Sequence, residues 1–186
     1  MDDLTFIKEY LERYKHTLFY TDFSDKVIKM KHMLFEVKKN GKKIIIAGNG
    51  GSAAMASHVA VDFTKQGGIR TVNFNEADLI TCLSNDFGYD DWVAKALQFY
   101  GDEGDCVVLI SSSGNSRNIV NAAIEAKRLG MSVVTFTGFN KSNKLKQEGE
   151  INLWVNSKAY NIIEMTHHIW LLAIVDVIIG SAEYSA

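Results

Sequence analysis

Four serine hydroxyls are concentrated in the stretch SSSGNS at residues 111–116, between the apolar run CVVLI and the helix-like run RNIVNAA. A hydroxyl donates and accepts hydrogen bonds and rotates to suit its partner, so several together can surround a phosphoryl group. The start of a helix adds unpaired N–H groups and a partial positive charge. The stretch therefore predicts a phosphate-binding loop, whose hydroxyls belong to Ser111, Ser112, Ser113 and Ser116. The alternative is that they are ordinary helix caps and turn formers.

A second loop, AGNGGSAAM at residues 47–55, also follows an apolar run and leads into a helix-like run. Gly48, Gly50 and Gly51 allow a tight turn and a close approach of the backbone to a ligand. The loop is not a dinucleotide fingerprint, because Ala53 stands at the last glycine position, and no G-K-[ST] of a P-loop follows. Ligands of parallel α/β sheets bind at the carboxyl ends of the strands, so the two loops predict one anion site.

Carboxylates and imidazoles recur at helical spacing in two later segments. His58 and Asp62 are four residues apart, as are Glu164 and His168, so each pair shares one helix face. Such a set suits acid–base chemistry or zinc, and we expect it to form a site near the serine loop. The alternative is that His167 and His168 face a subunit interface and that Asp62 is a solvated helix residue.

The candidate residues described above lie in or next to apolar segments. Some of these segments have the spacing of helices, and others are typical of strands. Apolar positions at three- and four-residue steps predict two leading helices, and β-branched runs after residue 42 alternate with further helices. This alternation predicts an α/β fold, with a parallel sheet covered by helices on both faces. The expected strands lie at 42–48, 70–74, 105–110, 132–138 and 151–155; the expected helices lie at 3–19, 22–40, 52–66, 76–100 (broken near 85–91), 116–130, 143–149 and 160–180.

Composition limits the possible partners. The chain has 186 residues, 47% of them hydrophobic, and a formal net charge of −2, which favours one globular domain and gives no reason to expect nucleic acid. The apolar run at 169–180 is too short to span a bilayer and contains Asp176, so we expect a buried helix and a cytoplasmic protein. Residues 1–40 are expected to be a helical appendage that packs against a partner subunit, with residues 41–186 as the core.

The chain resembles the sugar isomerase (SIS) domain family and, within it, the phosphoheptose isomerase group. The resemblance rests on AGNGGSAAMASH (47–58), LSNDFGYDD (83–91), ISSSGNSRNIVNAA (110–123) and GMSVVTFTG (130–138). It implies a flavodoxin-like three-layer αβα sandwich with a five-stranded parallel sheet and appended N-terminal helices. It also implies a homotetramer with active sites between subunits.

The resemblance also assigns roles to residues. It implies that Ser52 and the four serines of 111–116 contact the phosphate of a sugar phosphate. We also expect Gly50 and Gly51 to bind the substrate, since glycines let the backbone approach a ligand closely. It implies that Asn49 and Asp86 meet the sugar hydroxyls and that His58 can ligate zinc. Together with the helical pairs described above, this gives a predicted zinc set of His58, Asp62, Glu164 and His168.

Three positions depart from the pattern of the group, which has a glutamate after GNGGS and a glutamine and a histidine on the last helix. Asp62 stands at the glutamate, and an ungapped alignment puts Ile163 and Leu171 at the other two. We therefore expect Asp62 or Glu164 to act as the base, and His168 or a metal as the acid. Tyr160 and Asn161 are further candidates to face the pocket.

Three functions remain open at this point. The first is an aldose–ketose isomerase that converts sedoheptulose 7-phosphate to a heptose 7-phosphate, for lipopolysaccharide or capsule synthesis. The second is a non-catalytic sugar-phosphate-binding regulator, similar to the replication-initiator-associating protein. The third is an isomerase of another sugar phosphate.

Overall fold

The computed structural model describes residues 2–185 and has five strands and eight helices in the expected order. Each boundary lies within a few residues of the sequence prediction, and the long helix expected at 76–100 is divided in two at Gly88. The strands are β1 (Ile44–Gly48), β2 (Thr71–Asn73), β3 (Cys106–Ser111), β4 (Ser132–Thr137) and β5 (Ile151–Trp154). The helices are α1 (Asp3–Leu18), α2 (Ser24–Lys39), α3 (Gly51–Lys65), α4 (Ala77–Phe87), α5 (Trp92–Tyr100), α6 (Arg117–Arg128), α7 (Lys144–Glu148) and α8 (Tyr160–Ile179).

All strand pairs are parallel, and the strand order is β2-β1-β3-β4-β5. This is the flavodoxin-like order, in which the chain reverses its direction across the sheet between β1 and β3. The loops after β1 and β3 therefore lead to helices on opposite faces and leave a crevice between them. The two glycine- and serine-rich loops follow these two strands, which confirms the predicted α/β architecture.

Two hydrophobic cores cover the two faces of the sheet. Successive β1 residues alternate between them, since Ile44 and Ile46 belong to one core and Ile45 and Ala47 to the other. The first core is covered by α2, α3 and α8, and the second by α4, α5, α6 and α7. Both faces are buried, which explains why β1 and β3 are continuous apolar runs.

Helix α8 is apolar over nearly its whole length. By length and composition it could cross a membrane, but half of the relevant window is buried within the protein. Trp170, Leu171 and Ile174 are in the first core, which agrees with the expected buried helix. Its first two turns, by contrast, carry polar side chains toward the candidate site.

The two leading helices differ from each other, which refines the expected division at residue 40. Helix α2 places Val27, Met30, Leu34 and Val37 in the core of its own subunit, so it is a part of the sandwich. Helix α1 is attached by a buried hydrogen bond from Thr166 to the Thr17 hydroxyl, 2.9 Å long. Leu18 packs against the first core. Four other apolar side chains of α1 remain exposed: Leu4, Phe6, Ile7 and Leu11. Helix α2 also exposes Ile28 and Phe35, so a partner subunit stays an expectation for both leading helices.

Candidate active site

The serine loop makes a tight turn between the end of β3 at Ser111 and the start of α6 at Arg117. Gly114 has a φ of 66°, a left-handed conformation that favours glycine, and a side chain there would collide with Asn143. The Gly114 N–H donates to the Ser111 carbonyl at 2.9 Å and closes the turn. The turn holds the four hydroxyls at the carboxyl edge of the sheet.

The hydroxyls of this loop are only partly used by the protein. Ser116 is at the N-cap of α6, but its side chain makes no capping bond and instead accepts from the Ser111 hydroxyl at 3.2 Å. Ser113 accepts from the Asn115 N–H at 3.2 Å. The Ser112 hydroxyl is buried and has no hydrogen-bond partner among the described residues. Capping and turn formation therefore account for Ser113 alone, and the other hydroxyls need a different explanation.

The glycine loop lies beside it, between β1 and α3. Gly50 adopts φ 56° and ψ −122°, which only glycine tolerates well, and a side chain at Gly48 would collide with Ser52. Ser52 is 3% exposed. A side chain at Gly51 would collide with the carboxylate of Glu164 on α8. The glycines thus bring α8 close to the start of α3, although Gly50 and Gly51 do not themselves line the cavity described next.

The two loops and the start of α8 enclose a cavity of about 140 Å³. Among residues 2–185 no lysine or arginine lines it, so an anion would be held by the helix starts and the polar hydrogens. Glu164 supplies its only carboxylate, and the predicted candidate Tyr160 lines it as well. The lining residues are Asn49, Ser52, Ile110, Ser111, Ser112, Ser113, Ser116, Tyr160 and Glu164. The predicted phosphate residues therefore converge with one predicted acid–base residue.

Asn49 is held by a reciprocal pair of amide hydrogen bonds to Asn118 on α6. Asn49 donates to the Asn118 oxygen at 3.0 Å, and Asn118 donates back at 2.9 Å. The Tyr89 hydroxyl also donates to the Asn49 oxygen, at 3.2 Å. One N–H of Asn49 is left to meet a ligand. Sequence reasoning missed Asn118, although a polar residue on the apolar face of α6, 2% exposed, was a signal.

His58, Asp62 and His168 form a separate chain of contacts. His58 Nδ1 lies 2.9 Å from His168 Nε2, and His58 Nε2 lies 3.3 Å from Asp62 Oδ2. Partial burial, followed by the neighbouring His58, lowers the pKa of His168 from its ordinary value. Neutral rings satisfy both contacts when His58 donates to Asp62 and His168 donates to His58. None of the three lines the serine cavity.

Within one subunit the predicted four-residue zinc set is divided between two places. Glu164 lines the serine cavity, whereas the other three form the chain just described. Across residues 2–185 there is no group of three or more histidine, cysteine, aspartate or glutamate side chains placed to hold a metal ion. Zinc binding by this set therefore stays a prediction.

Helix α8 turns a different face to the cavity from the one that the ungapped alignment suggested. Ile163 and Leu171 are fully buried in the first core, and Ile163 packs beneath Gly138. His167 is also fully buried, and its Nε2 donates to the Thr137 carbonyl at 3.0 Å. Its Nδ1 has no hydrogen-bond partner among residues 2–185. It is therefore not an interface residue. Ile163 and Leu171 are core positions, and Glu164 is the cavity-facing position.

Two further predicted residues lie outside the cavity. Asp86 is exposed on α4, where it accepts from the side chains of Asn85 at 2.9 Å and Cys82 at 3.8 Å. Asn161 accepts a hydrogen bond from Tyr14 through its backbone carbonyl at 3.4 Å. Neither lines the cavity. A contact of Asp86 with sugar hydroxyls stays a prediction.

The parallel sheet, its switch point and the serine turn together define a class of protein. A family model described as the SIS domain matches residues 6–138, more than half of the chain. The chain therefore belongs to the SIS domain family.

Particular relatives narrow the comparison to one group. A phosphoheptose isomerase of Buchnera aphidicola is 36% identical over 146 residues, which cover 76% of this chain and 75% of that protein. A solved phosphoheptose isomerase structure from Francisella tularensis has a TM-score of 0.90 at 25% identity, and covers 97% of this chain and 100% of that one. A second, from Neisseria gonorrhoeae, has a TM-score of 0.85 at 27% identity and covers 94% and 96%. The expected resemblance to phosphoheptose isomerases is confirmed.

Proposed function

We propose that this protein is a sugar-phosphate isomerase that converts the ketose sedoheptulose 7-phosphate to an aldose, heptose 7-phosphate. One observation carries the proposal: the partnerless, buried Ser112 hydroxyl and the Glu164 carboxylate line the same cavity. A buried hydroxyl without a partner is costly unless a ligand satisfies it. The names of the relatives support this substrate.

The phosphate would be bound at the start of α6 by neutral groups. The Ser112 hydroxyl would donate to one phosphoryl oxygen, and Ser111 and Ser116 would exchange their mutual bond for bonds to the ligand. The unpaired N–H groups of the first turn would donate as well. The α3 start and Ser52 would contact the rest of the substrate from the other side.

Glu164 would be the base of the reaction. It would remove a proton from C1, next to the C2 carbonyl, and return a proton to C2 of the enediol so formed. The O1 hydroxyl loses its proton as C1 becomes the aldehyde, and O2 gains one, so the reaction is redox-neutral overall. Among the described residues, Glu164 is the one acidic side chain that lines the cavity, which favours it over Asp62 for this step.

The His168–His58–Asp62 chain would move the oxygen-bound protons. His168 lies four residues after Glu164 on α8, so both point from one helix face. A neutral His168 would accept a proton at Nδ1 and pass the proton on its Nε2 to His58 Nδ1. Asp62 would stabilise the positive charge that forms on His58. This role requires both rings to be neutral at the start.

A second subunit would complete the site. The cavity of about 140 Å³ is smaller than the roughly 300–1,000 Å³ of ordinary small-molecule sites. The exposed apolar side chains of α1 offer the surface for association. We therefore propose a homotetramer with active sites between subunits, in the cytoplasm; zinc binding would require a ligand from the neighbouring subunit.

Glu164→Gln tests the proposal and is the first prediction. Turnover of sedoheptulose 7-phosphate should fall by about 10²- to 10⁴-fold, because general-base catalysis is lost. The rise in melting temperature on adding the sugar phosphate should persist, since the serine loop is unchanged. The assay follows the appearance of the aldose, and Asp176→Asn, on the same helix and outside the cavity, is the matched control.

Two outcomes would contradict the proposal. Full activity in Glu164→Gln would remove Glu164 as the base and return the role to Asp62. Binding of ketose phosphates by the unaltered protein with no turnover of any of them would favour the sugar-phosphate-binding regulator instead.

A further inference from the structure

A second cleft lies between α1 and the carboxyl ends of β4 and β5. Its volume is about 680 Å³, within the usual range of small-molecule sites. It shares no lining residue with the serine cavity. Ten residues line it: Arg13, His16, Thr17, Tyr20, Thr21, Phe139, Asn156, Ser157, Lys158 and Ile162.

The charge of this cleft is of one sign. Arg13 and Lys158 are cationic, His16 is an imidazole beside them, and none of the ten lining residues is acidic. Among the described residues none of these three forms an ion pair. Two cations converge on a cleft with no carboxylate to neutralise them, in a chain whose formal net charge is −2. A dianion would neutralise both.

Neutral donors and flat rings complete the lining. Ser157 accepts from the Ala159 N–H at 3.1 Å and keeps its own O–H to donate. The cap of α8, Ala159, has no side-chain bond, so the first N–H groups of this 20-residue helix begin beside Ser157 and Lys158. Tyr20 and Phe139 provide ring surfaces for a sugar or a base. The combination suits a phosphate attached to a ring.

We propose that this cleft binds a small organic phosphate as a second, non-substrate site. The proposal goes beyond the isomerase function and stands on residues that the proposed chemistry does not use.

The cleft is connected to the serine cavity through its wall. Phe139, which lines the cleft, contacts the ring of Tyr160, which lines the serine cavity, with ring centroids 4.9 Å apart. Phe139 has a φ of 51° and is the one non-glycine residue with positive φ in the described part of the chain. Its neighbour Gly138 donates to the Ser112 carbonyl at 2.8 Å. A ligand that moves Phe139 therefore alters substrate binding at Tyr160 and Ser112.

Titration calorimetry on the full chain tests the site, with ADP, ribose 5-phosphate and adenosine as probes. The background is Ser116→Asp, which keeps a good helix cap and places a negative charge against phosphate in the serine cavity. ADP or ribose 5-phosphate should bind this background, and adenosine should not. The stronger of the two phosphates identifies the ring that the cleft prefers.

Arg13→Gln with Lys158→Gln should weaken that binding at least tenfold. Lys8→Gln with Lys141→Gln removes the same charge outside the cleft and is the matched control, expected to bind as the background does. When Ser116 is left unchanged, basal turnover of sedoheptulose 7-phosphate should be the same in the two double variants. The bound phosphate should change the KM for sedoheptulose 7-phosphate.

Several results would overturn the inference. These are no phosphate binding in the Ser116→Asp background, equal binding of adenosine and ADP, or equal binding by the two double variants. A change of oligomeric state in Arg13→Gln with Lys158→Gln would assign the cleft to subunit contact instead. Because the readout is heat of binding, failure here leaves the isomerase proposal standing, and inactivity of the enzyme leaves this one standing.

Discussion

Ser112 shows how one hydroxyl distinguishes a binding loop from a structural turn. The residue is 5% exposed, yet its Oγ has no partner among residues 2–185. Its sequence neighbours Ser111 and Ser113 have partners within the loop. Sequence could predict the loop from its density of serines, but only the three-dimensional contacts show which hydroxyl is left for a ligand.

Ser112→Ala should weaken binding of the sugar phosphate by at least about tenfold, because a hydrogen bond to a charged group contributes about 1.5–3 kcal/mol. The free energy of unfolding should stay the same or rise, since a buried hydroxyl without a partner is removed. Ligand titration and urea unfolding measure the two effects. Ser142→Ala, on an exposed turn, should change neither. Wild-type affinity in Ser112→Ala would place the phosphate elsewhere.

His167 makes the stability of the protein depend on pH. Burial lowers its pKa to about 4, against the weaker opposing effect of its bond to the Thr137 carbonyl. In the unfolded chain the ring titrates near its ordinary value of 6.5, so below that pH the unfolded state takes up a proton and the folded state does not. His167 therefore contributes stability above about pH 6.5 that is lost as the pH falls toward 4.

His167→Gln keeps a donor for Thr137 and does not titrate, so it should flatten this dependence. Between pH 7.5 and pH 5 the unaltered protein should lose about 2 kcal/mol of unfolding free energy on account of His167 alone. Urea unfolding at several pH values, with exposed His32→Gln as the control, gives the difference. Parallel curves for the unaltered protein and His167→Gln would contradict the prediction.

At the scale of elements, the Asn49–Asn118 pair joins the glycine loop to α6. The two helices that receive the ligand lie on opposite faces of the sheet, and this amide pair is a direct link between them. Asn49 was predicted as a site residue from the resemblance, and the structure adds the partner that orients it.

Asn49→Ala and Asn118→Ala should be non-additive in their effect on substrate affinity. Each single change removes the paired amide from the side chain that remains, and the double change removes both, so a coupling of about 0.5–3 kcal/mol is expected. KM for the sugar phosphate should rise in both single variants. Tyr89→Phe removes only the third bond to Asn49 and should have a smaller effect. Additive effects would show that the pair does not position the loop.

The elements themselves were largely readable from sequence, for physical reasons. The five strands are short runs of β-branched residues between glycine-rich loops, and α6 is amphipathic with capping and stop residues. The facing of α8 was only partly readable: the four-residue spacing put Glu164 and His168 on one face, but a mostly apolar helix has little periodicity to show that Ile163 and Leu171 lie in the core. Glu164 and Ile163 are adjacent, and only packing against Gly51 and Gly138 separates cavity from core. Likewise, periodicity showed that α2 has an apolar face but not that its own subunit covers it.

At the scale of the whole molecule, α1 has an exposed apolar surface. Leu4, Phe6, Ile7 and Leu11 are each more than half exposed. Apolar side chains gathered on one helix are typical of a subunit contact. The sequence predicted this contact for both leading helices, and it stays a prediction for both, because α2 also exposes Ile28 and Phe35.

Phe6→Ser with Leu11→Ser should reduce the size of the particle and lower isomerase activity with it. The unfolding free energy of the subunit should change little, because both side chains are exposed within it. Sedimentation velocity measures the size, and Lys8→Ser with Glu9→Ser on the same helix is the control. An unchanged particle would move the subunit contact to another surface.

Within the described part of one subunit, no lysine or arginine lines the serine cavity, which has a consequence for how substrate arrives. Long-range attraction between full charges accelerates encounter and fades with added salt, because mobile ions screen it over a Debye length. Hydroxyls and peptide dipoles, by contrast, attract an anion only at short range. The association rate constant of the sugar phosphate should thus be that of diffusion without electrostatic steering, and it should change little with ionic strength.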